Sequence, residues 1–290
     1  MINPGSRNGD SAAAEAVQHL QPLGPLHVFQ VDETDAARQA ILEHGGPQTR
    51  VVLGGGDGTL TCLVDAVLET ASTLGVLPMG TANDFARSLG LPDNIPDAAA
   101  IITADNVRRV DVGRVNGKAF LNAVGIGVGP KVTRELDADA KQHLGVLAYP
   151  VSLASAIRRS RPFRVQIDVD GETHEARCIQ VTIGNGIHYG GGMTIHEDAR
   201  LDDGQLTVIC VRQQSSWRLA RRFLALRWGE LSNDPDLLVL RGRGVRVTTR
   251  KSMPASADGE LSSETPLDCV CRRKELRVLA PLVEEHGGAV

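Results

Sequence analysis

The stretch Arg50-Val51-Val52-Leu53-Gly54-Gly55-Gly56-Asp57-Gly58-Thr59 decides how the chain begins to fold. A short β-branched run stops abruptly at three glycines, and Leu60 to Ala71 then repeats its apolar residues at helical spacing. The pattern is strand, tight turn, helix. Glycines lack the Cβ that would hold an anion off the backbone, and they tolerate positive φ. Successive N–H groups can then line a concave nest, with the positive end of the following helix behind it. Gly54, Gly55, Gly56, Gly58 and the Thr59 hydroxyl are therefore candidate phosphate ligands. Asp57 inside the loop would repel phosphate unless a cation intervenes, and Mg²⁺ commonly pairs carboxylates with substrate phosphates. A plain strand-to-helix turn is the competing reading of the same glycines. Two familiar nucleotide motifs are absent: there is no G-x-x-x-x-G-K-[ST] loop, and Thr59 stands where G-x-G-x-x-G needs its last glycine.

Outward from this loop, helical and strand-like segments alternate. Ser11–Leu20 and Thr34–Glu43 read as helices, and Leu26–Val31 and Gly75–Pro78 as strands. Asn83–Leu89 and Asp97–Ala104 read as further helices. This grammar predicts an α/β domain with a parallel sheet covered on both faces. A second loop follows the second strong strand, Pro78-Met79-Gly80-Thr81-Ala82-Asn83-Asp84-Phe85-Ala86-Arg87. Gly80 makes the turn, Thr81 offers a hydroxyl, and Asn83 or Asp84 can cap the next helix. Loops after neighbouring parallel strands project from the same carboxyl edge, where ligands bind in open α/β folds. The two loops therefore predict one shared site.

Beyond Val110 the patterning changes to alternation of apolar and polar residues, at Phe163–Val169, Ala176–Ile183, Gln205–Val211, Val245–Thr249 and Glu275–Leu279. Asp170-Gly171, Asp203-Gly204 and Asp258-Gly259 mark turns, so an antiparallel β-sandwich is expected, interrupted by helices at Gly145–Arg159 and Ser215–Trp228. The boundary is placed near residue 122. This gives an α/β domain over 1–122, a β-sandwich over 123–281 whose last residues can return to the first domain, and a tail over 282–290. A chain of 290 residues suits two domains. Aromatics at 3% leave the packing to Val, Leu, Ile and Ala, and a net charge of −4 gives no global pull to nucleic acid or anionic lipid. The five cysteines are scattered, which suits reduced thiols in a cytoplasmic protein better than a zinc site. No signal-peptide pattern and no apolar run of roughly 18 residues is visible, so a cytoplasmic protein is expected, touching a membrane only peripherally.

With Asn3-Pro4, Gly55 to Thr59, Gly80-Thr81-Ala82-Asn83-Asp84-Phe85-Ala86, Gly184-Asn185-Gly186, Gly190 to Gly192, Asp198 to Gly204 and Asp258-Gly259-Glu260, the chain resembles the diacylglycerol kinase catalytic family. It is most similar to the bacterial YegS-type lipid kinases, over nearly its whole length. Gly-Gly-Asp-Gly-Thr is shared with NAD kinases and resembles phosphofructokinases; the second loop and the Asp-Gly-Glu favour the lipid-kinase branch. The resemblance implies an active site in the cleft between two domains, ATP as phosphate donor and Mg²⁺ as cofactor. It implies that Gly56, Asp57, Gly58 and Thr59 contact the nucleotide phosphates with Thr81 and Asn83 nearby. Asp57 and Asp84 would lie at the catalytic metal and phosphate, and Glu260 would take the proton from the acceptor hydroxyl. Phosphoryl transfer needs positioning, charge neutralisation and an oriented nucleophile, which these groups can supply. The resemblance further implies a structural Mg²⁺ on one carboxylate and two backbone carbonyls, matching Asp203, Arg200 and Gln205; a solvated turn is the competing reading.

The chain departs from the family pattern in three places. Leu60-Thr61-Cys62 stands where the family carries x-Asn-Glu, Gln30 falls where a nucleotide-contacting Thr is expected, and little strand precedes Asn3-Pro4, which leaves room for a start upstream of Met1. On the acceptor side, Trp217 to Trp228 can form a basic amphipathic helix that docks on anionic lipid, or one packed on the sandwich with its arginines in water. Arg158, Arg159, Arg161 and Arg164 form a second basic cluster, and neither has the scale or the stacking residues for nucleic acid. The leading expectation is transfer of the ATP γ-phosphate to a lipid hydroxyl, of diacylglycerol or a phosphatidylglycerol-like acceptor. The alternatives are a NAD kinase or other small-molecule kinase, and a nucleotide- or lipid-binding module with impaired catalysis.

Overall fold

The computed structural model describes Met1 and residues 9–29, 33–128, 161–189, 193–194, 199–212 and 237–282. Several features of the sequence reading lie outside the described residues: Asn3-Pro4, Gln30, the expected helices at Gly145–Arg159 and Ser215–Trp228, Gly190 to Gly192, Asp198 and the tail from residue 283. The chain divides into two compact units, one of Met1–Val110 with Glu275–Val290 and one of Asp111–Lys274. The chain thus leaves the first unit at Val110, whereas the change in patterning placed the boundary near residue 122.

The first unit contains α1 (Gly9–Leu20), α2 (Thr34–His44), β1 (Arg50–Gly55), α3 (Asp57–Glu69), β2 (Thr73–Pro78), α4 (Asp84–Leu89) and α5 (Ile95–Thr103). Strands β1 and β2 run parallel, in register from Arg50 opposite Thr73 to Gly55 opposite Pro78. Every residue of β2 is buried, as a parallel strand covered on both faces must be. Its cover is read from the helices: α1 packs on α5 and α5 on β2, while α3 packs on β1 and α2 on α3. Ala13, Ala16 and Leu20 of α1 meet Ala98, Ala99 and Ile102 of α5 in a core shared with Leu77, Met79 and Leu279. Small residues on both helices allow this close approach without large aromatics. The described part of the expected strand Leu26–Val31 is not a strand. Leu26 and Val28 are 36% and 49% exposed, while His27 and Phe29 stack on His44 at the end of α2, with ring centroids 6.0 and 5.3 Å away. Alternation alone makes a strand only where a neighbouring backbone accepts its hydrogen bonds.

Strand β3 (Val107–Val115) carries the chain into the second unit. There follow β4 (Lys118–Phe120), β5 (Ala123–Gly127), β6 (Phe163–Val169), β7 (Glu172–Gly184), β8 (His188–Tyr189), β9 (Met193–Thr194) and β10 (Leu206–Arg212). The series ends with β11 (Leu237–Gly242), β12 (Gly244–Thr249), β13 (Pro254–Ala257), β14 (Glu260–Glu264) and β15 (Leu267–Leu279). The pairs β6–β7, β7–β10, β10–β11, β5–β7, β5–β13 and β12–β15 are all antiparallel. Three hairpins turn on two residues of positive φ: Asn116-Gly117, Asp170-Gly171 and Asp258-Gly259. Asn-Gly and Asp-Gly are favoured there because that turn needs left-handed backbone at both central positions. Alternate residues from these strands, among them Phe120, Ile126, Ile167, Val181, Ile183, Val208, Val247 and Cys271, form one buried core. The segment Glu275–Leu279 is a strand, as its alternation suggests, and takes the return to the first domain that the sequence leaves open rather than staying in the sandwich. Arg277 and Val278 pair in parallel with Thr73 and Leu74 of β2, so the end of β15 belongs to the first unit's sheet. Lys274, at φ 51°, marks the place where the strand changes company.

Candidate active site

The two glycine loops of the first unit meet backbone to backbone. The register that sets Gly55 opposite Pro78 delivers both loops to the carboxyl edge, where the Met79 N–H donates to the Gly55 carbonyl at 3.0 Å. A Cβ on Gly80 would lie 2.5 Å from the Gly56 Cα, and one on Gly56 would lie 3.1 Å from the Gly80 Cα. Neither position admits a side chain without moving backbone. A Cβ on Gly55 would likewise meet the Thr59 Cβ at 2.7 Å, so Thr59 packs over the strand end. Gly56 is the N-cap of α3 and supplies no side-chain cap, leaving the positive end of that helix to the loop.

Asp57 is the clamp between the loops. Its carboxylate accepts the N–H of Asp84 and the N–H of Phe85, each at 3.0 Å, and so caps α4 from across the sheet edge. Asn83 stands at the N-cap position of α4 in left-handed conformation, but its side chain closes on Gly80 instead. Its Oδ1 accepts the Gly80 N–H at 2.9 Å and its Nδ2 donates to the Gly80 carbonyl at 3.2 Å. The expectation that Asn83 or Asp84 caps this helix is therefore corrected: a carboxylate 27 residues upstream does it, because the parallel pairing brings that residue closer than the local chain can reach. Asp84 is 4% exposed, whereas Thr81 is exposed at the loop tip.

Glu260 and Asp203 lie in the second unit. Glu260 is exposed at the start of β14, two residues after Asp258. The Asp258 carboxylate accepts three consecutive amides, from Leu121 at 2.8 Å, Asn122 at 2.9 Å and Ala123 at 2.8 Å. The Asp258 N–H returns a bond to the Ala123 carbonyl at 2.9 Å. Asn185 holds the same segment from another side: its Nδ2 donates to the carbonyls of Asp111 and Leu121, each at 3.1 Å, and its N–H donates to the Asn122 carbonyl at 2.8 Å. The hairpin that presents Glu260 is thereby tied to the entry of β5. The sequence reading passed over Asp258 as an ordinary turn residue and missed Asp111, which is 1% exposed. An isolated Asp in a Val-Asp-Val strand is the only local signal for Asp111.

The Asp203 turn has a different donor set from the expected metal site. The Asp203 carboxylate accepts the Arg200 N–H at 3.2 Å, the Gln205 N–H at 2.9 Å and an Arg241 guanidinium N–H at 2.7 Å. Asp111 adds a second anchor, accepting the Gly204 N–H at 2.5 Å and the Lys274 N–H at 2.7 Å. Amide donors alone leave a carboxylate free to bind a cation as well, but Asp203 also carries a guanidinium that already balances its charge. With that charge already balanced, the Asp203 carboxylate does not fit the role of metal ligand.

Residues 1–115 match the diacylglycerol kinase catalytic domain, and residues 122–280 match the YegS C-terminal NAD kinase beta sandwich-like domain. The chain is 32% identical over 256 residues to a diacylglycerol kinase of Bacillus subtilis (strain 168), covering 86% of this chain and 82% of the relative. A diacylglycerol kinase of Staphylococcus carnosus (strain TM300) is 28% identical over 252 residues, covering 86% and 81%. The crystal structure of a diacylglycerol kinase from Bacillus anthracis str. Sterne superposes with a TM-score of 0.80 at 29% identity, covering 97% of this chain and 95% of that one. With both domains and both glycine loops accounted for, the chain belongs to the diacylglycerol kinase family and is a lipid kinase, a phosphotransferase acting on an alcohol.

Proposed function

We propose that the chain transfers the γ-phosphate of ATP to the hydroxyl of a lipid of the diacylglycerol or phosphatidylglycerol type, with Mg²⁺ accompanying the nucleotide. The observation that carries this reading is the contact of Gly56 with Gly80, clamped by Asp57 across to Asp84 and Phe85. A loop of this shape presents backbone N–H groups from Gly56, Asp57, Gly58 and Thr59, with a helix N-terminus behind them, where phosphate oxygens can settle. Gly54 and Gly55 shape the approach, Asn83 holds the second loop closed on Gly80, and the exposed Thr81 offers its hydroxyl at the tip. Bound with the nucleotide, Mg²⁺ would neutralise phosphate charge, with Asp57 and Asp84 as the carboxylates nearest that task in sequence and loop position. Glu260 is the proposed base, accepting the proton of the acceptor hydroxyl; its exposure at the head of β14 suits a group that must meet a substrate. The lipid is reached from the aqueous side of a bilayer, and among the described residues no helix is long and apolar enough to cross one.

The test is transfer of label from γ-labelled ATP to vesicles doped with diacylglycerol or phosphatidylglycerol, with NAD as a parallel acceptor. Label is expected on one of the lipids and not on NAD. Glu260→Ala should lower transfer by about 100-fold or more while leaving nucleotide binding intact. Label on NAD alone overturns the lipid reading; ATP binding with no acceptor labelled supports a binding module; undiminished transfer by Glu260→Ala removes that residue as the base.

A further inference from the structure

The Asp203 turn sits where β10 begins, and the strand beside it decides its electrostatics. Strands β10 and β11 pair antiparallel with Thr207 opposite Arg241 and Leu206 opposite Gly242. This register sets the Arg241 guanidinium level with the turn that precedes Leu206, where it contacts Asp203 at 2.7 Å. The pair is largely sheltered, with side-chain exposures of 29% for Arg241 and 17% for Asp203. Sheltered charges are screened less by water and salt than surface ones, so the guanidinium has real weight there. The rest of the turn is closed by donors too. Arg200 and Gln205 give their amides to Asp203, and Gly204 gives its amide to Asp111. The Arg273 side chain lies directly over Gly204, 2.4 to 2.9 Å from where a Cβ would stand, which brings the stem of a second arginine onto the same turn.

We propose that Arg241 does in this chain what a structural divalent cation would do at the Asp203 turn: an internal guanidinium neutralises Asp203 and fastens the turn to β11, so the folded protein carries no divalent ion there. A carboxylate already paired with a guanidinium offers a dication less attraction, and the guanidinium itself repels it at close range. Mg²⁺ sheds its water reluctantly and accepts only near-octahedral oxygen sets, which makes it a poor competitor for a carboxylate already held by a guanidinium. The planar fork of arginine, always charged, is the side chain best suited to hold that place. The Nε of Arg241 is buried with no acceptor among the described residues, so the documented charged contact of this side chain is with Asp203. The proposal concerns the fold of the second unit and stands apart from which acceptor the enzyme phosphorylates.

The experiment uses the full chain without nucleotide, dialysed against EDTA and then returned to buffer with or without millimolar MgCl₂ or MnCl₂. The wild-type melting temperature is expected to stay within about 1 °C across these conditions, and Mn²⁺ electron paramagnetic resonance should detect no stoichiometric site. Arg241→Met should lower the melting temperature by roughly 5–10 °C, because removing one partner of a sheltered ion pair leaves the other charge unpaired. In the double variant with Asp203→Asn the loss should be smaller than the sum of the single losses. A wild-type melting temperature that rises with Mg²⁺, the rise vanishing in Asp203→Asn, would overturn the proposal. So would one bound Mn²⁺ per chain that Asp203→Asn abolishes, or an Arg241→Met variant that melts with the wild type. Should Arg241→Met fail to fold, the wild-type melting and Mn²⁺ measurements still decide the matter.

Discussion

Asp258 shows how much a single side chain can organise when it is surrounded by amides. One carboxylate takes three consecutive N–H groups at 2.8 to 2.9 Å, an arrangement that fixes both the β13–β14 turn and the segment Leu121–Ala123. Hydrogen bonds to a charged acceptor contribute more than neutral ones, and deleting the acceptor would leave three amides to find other partners. Asp258→Ala is therefore expected to destabilise the protein by about 2–4 kcal/mol, and Asp258→Asn by less, because one amide oxygen remains. Urea denaturation of the three proteins measures this; equal midpoints would show that the amides are satisfied without Asp258. Because Glu260 follows two residues later, transfer activity should fall with Asp258→Ala even where the chain remains folded. Asp57 works by the same principle in the other unit, capping a helix that its own neighbours cannot cap.

At the scale of elements, the loops after β1 and β2 depend on each other. The parallel register delivers Gly56 and Gly80 to the same point, and the backbone of each leaves no room for a side chain on the other. Gly80→Ala must separate the loops or distort Asn83, since the new Cβ would stand 2.5 Å from the Gly56 Cα and 2.7 Å from the Asn83 Oδ1. The expected cost is about 1–3 kcal/mol of stability, as for other overpacked sites. The KM for ATP should rise by roughly tenfold, a free-energy change of about 1.4 kcal/mol. Thermal melting and steady-state kinetics check both; an unchanged KM would mean that nucleotide does not use this junction. Much of this was legible in advance. Three glycines after a β-branched run, and a second glycine loop after a second buried strand, are local signals that need no tertiary information. The capping partner was not legible, because Asn83 beside a helix start looks like a sufficient cap until Gly80 is seen to occupy both ends of its amide.

For the whole molecule, the cores are built mainly from aliphatic side chains, and the four cysteines buried in the second unit, Cys178, Cys210, Cys269 and Cys271, give the fold a pH limit. Burial, followed by the nearby Asp268 carboxylate, pushes the Cys269 thiol up to about 12. Burial, followed by Asp111 and Asp203, pushes Cys271 up to about 12. The adjoining Cys210 thiol and burial push Cys178 up as well. An unfolded thiol releases its proton near pH 9, whereas these folded thiols keep theirs until about 12. Above pH 9 the folded chain therefore binds more protons than the unfolded one, and stability falls as pH rises, by about 1.4 kcal/mol per unit for each thiol. Below pH 8 these groups contribute no slope. Urea unfolding at pH 8, 9.5 and 10.5 should show the fall, and alkylation of the native protein at pH 9 should spare Cys269 and Cys271; rapid labelling of either would contradict their burial. By itself the sequence determined an α/β segment followed by antiparallel strands, the Asp-Gly hairpins and the two glycine loops, because helix period, strand alternation and the demand for positive φ are properties of neighbouring residues. Tertiary structure alone decided that Asp57 caps α4, that Asp258 anchors Leu121–Ala123 and that Arg241 meets Asp203, and it fixed where Glu275–Leu279 returns to the first unit's sheet. Each of these joins residues far apart in the chain, and strand register, which no short stretch encodes, sets which of them meet.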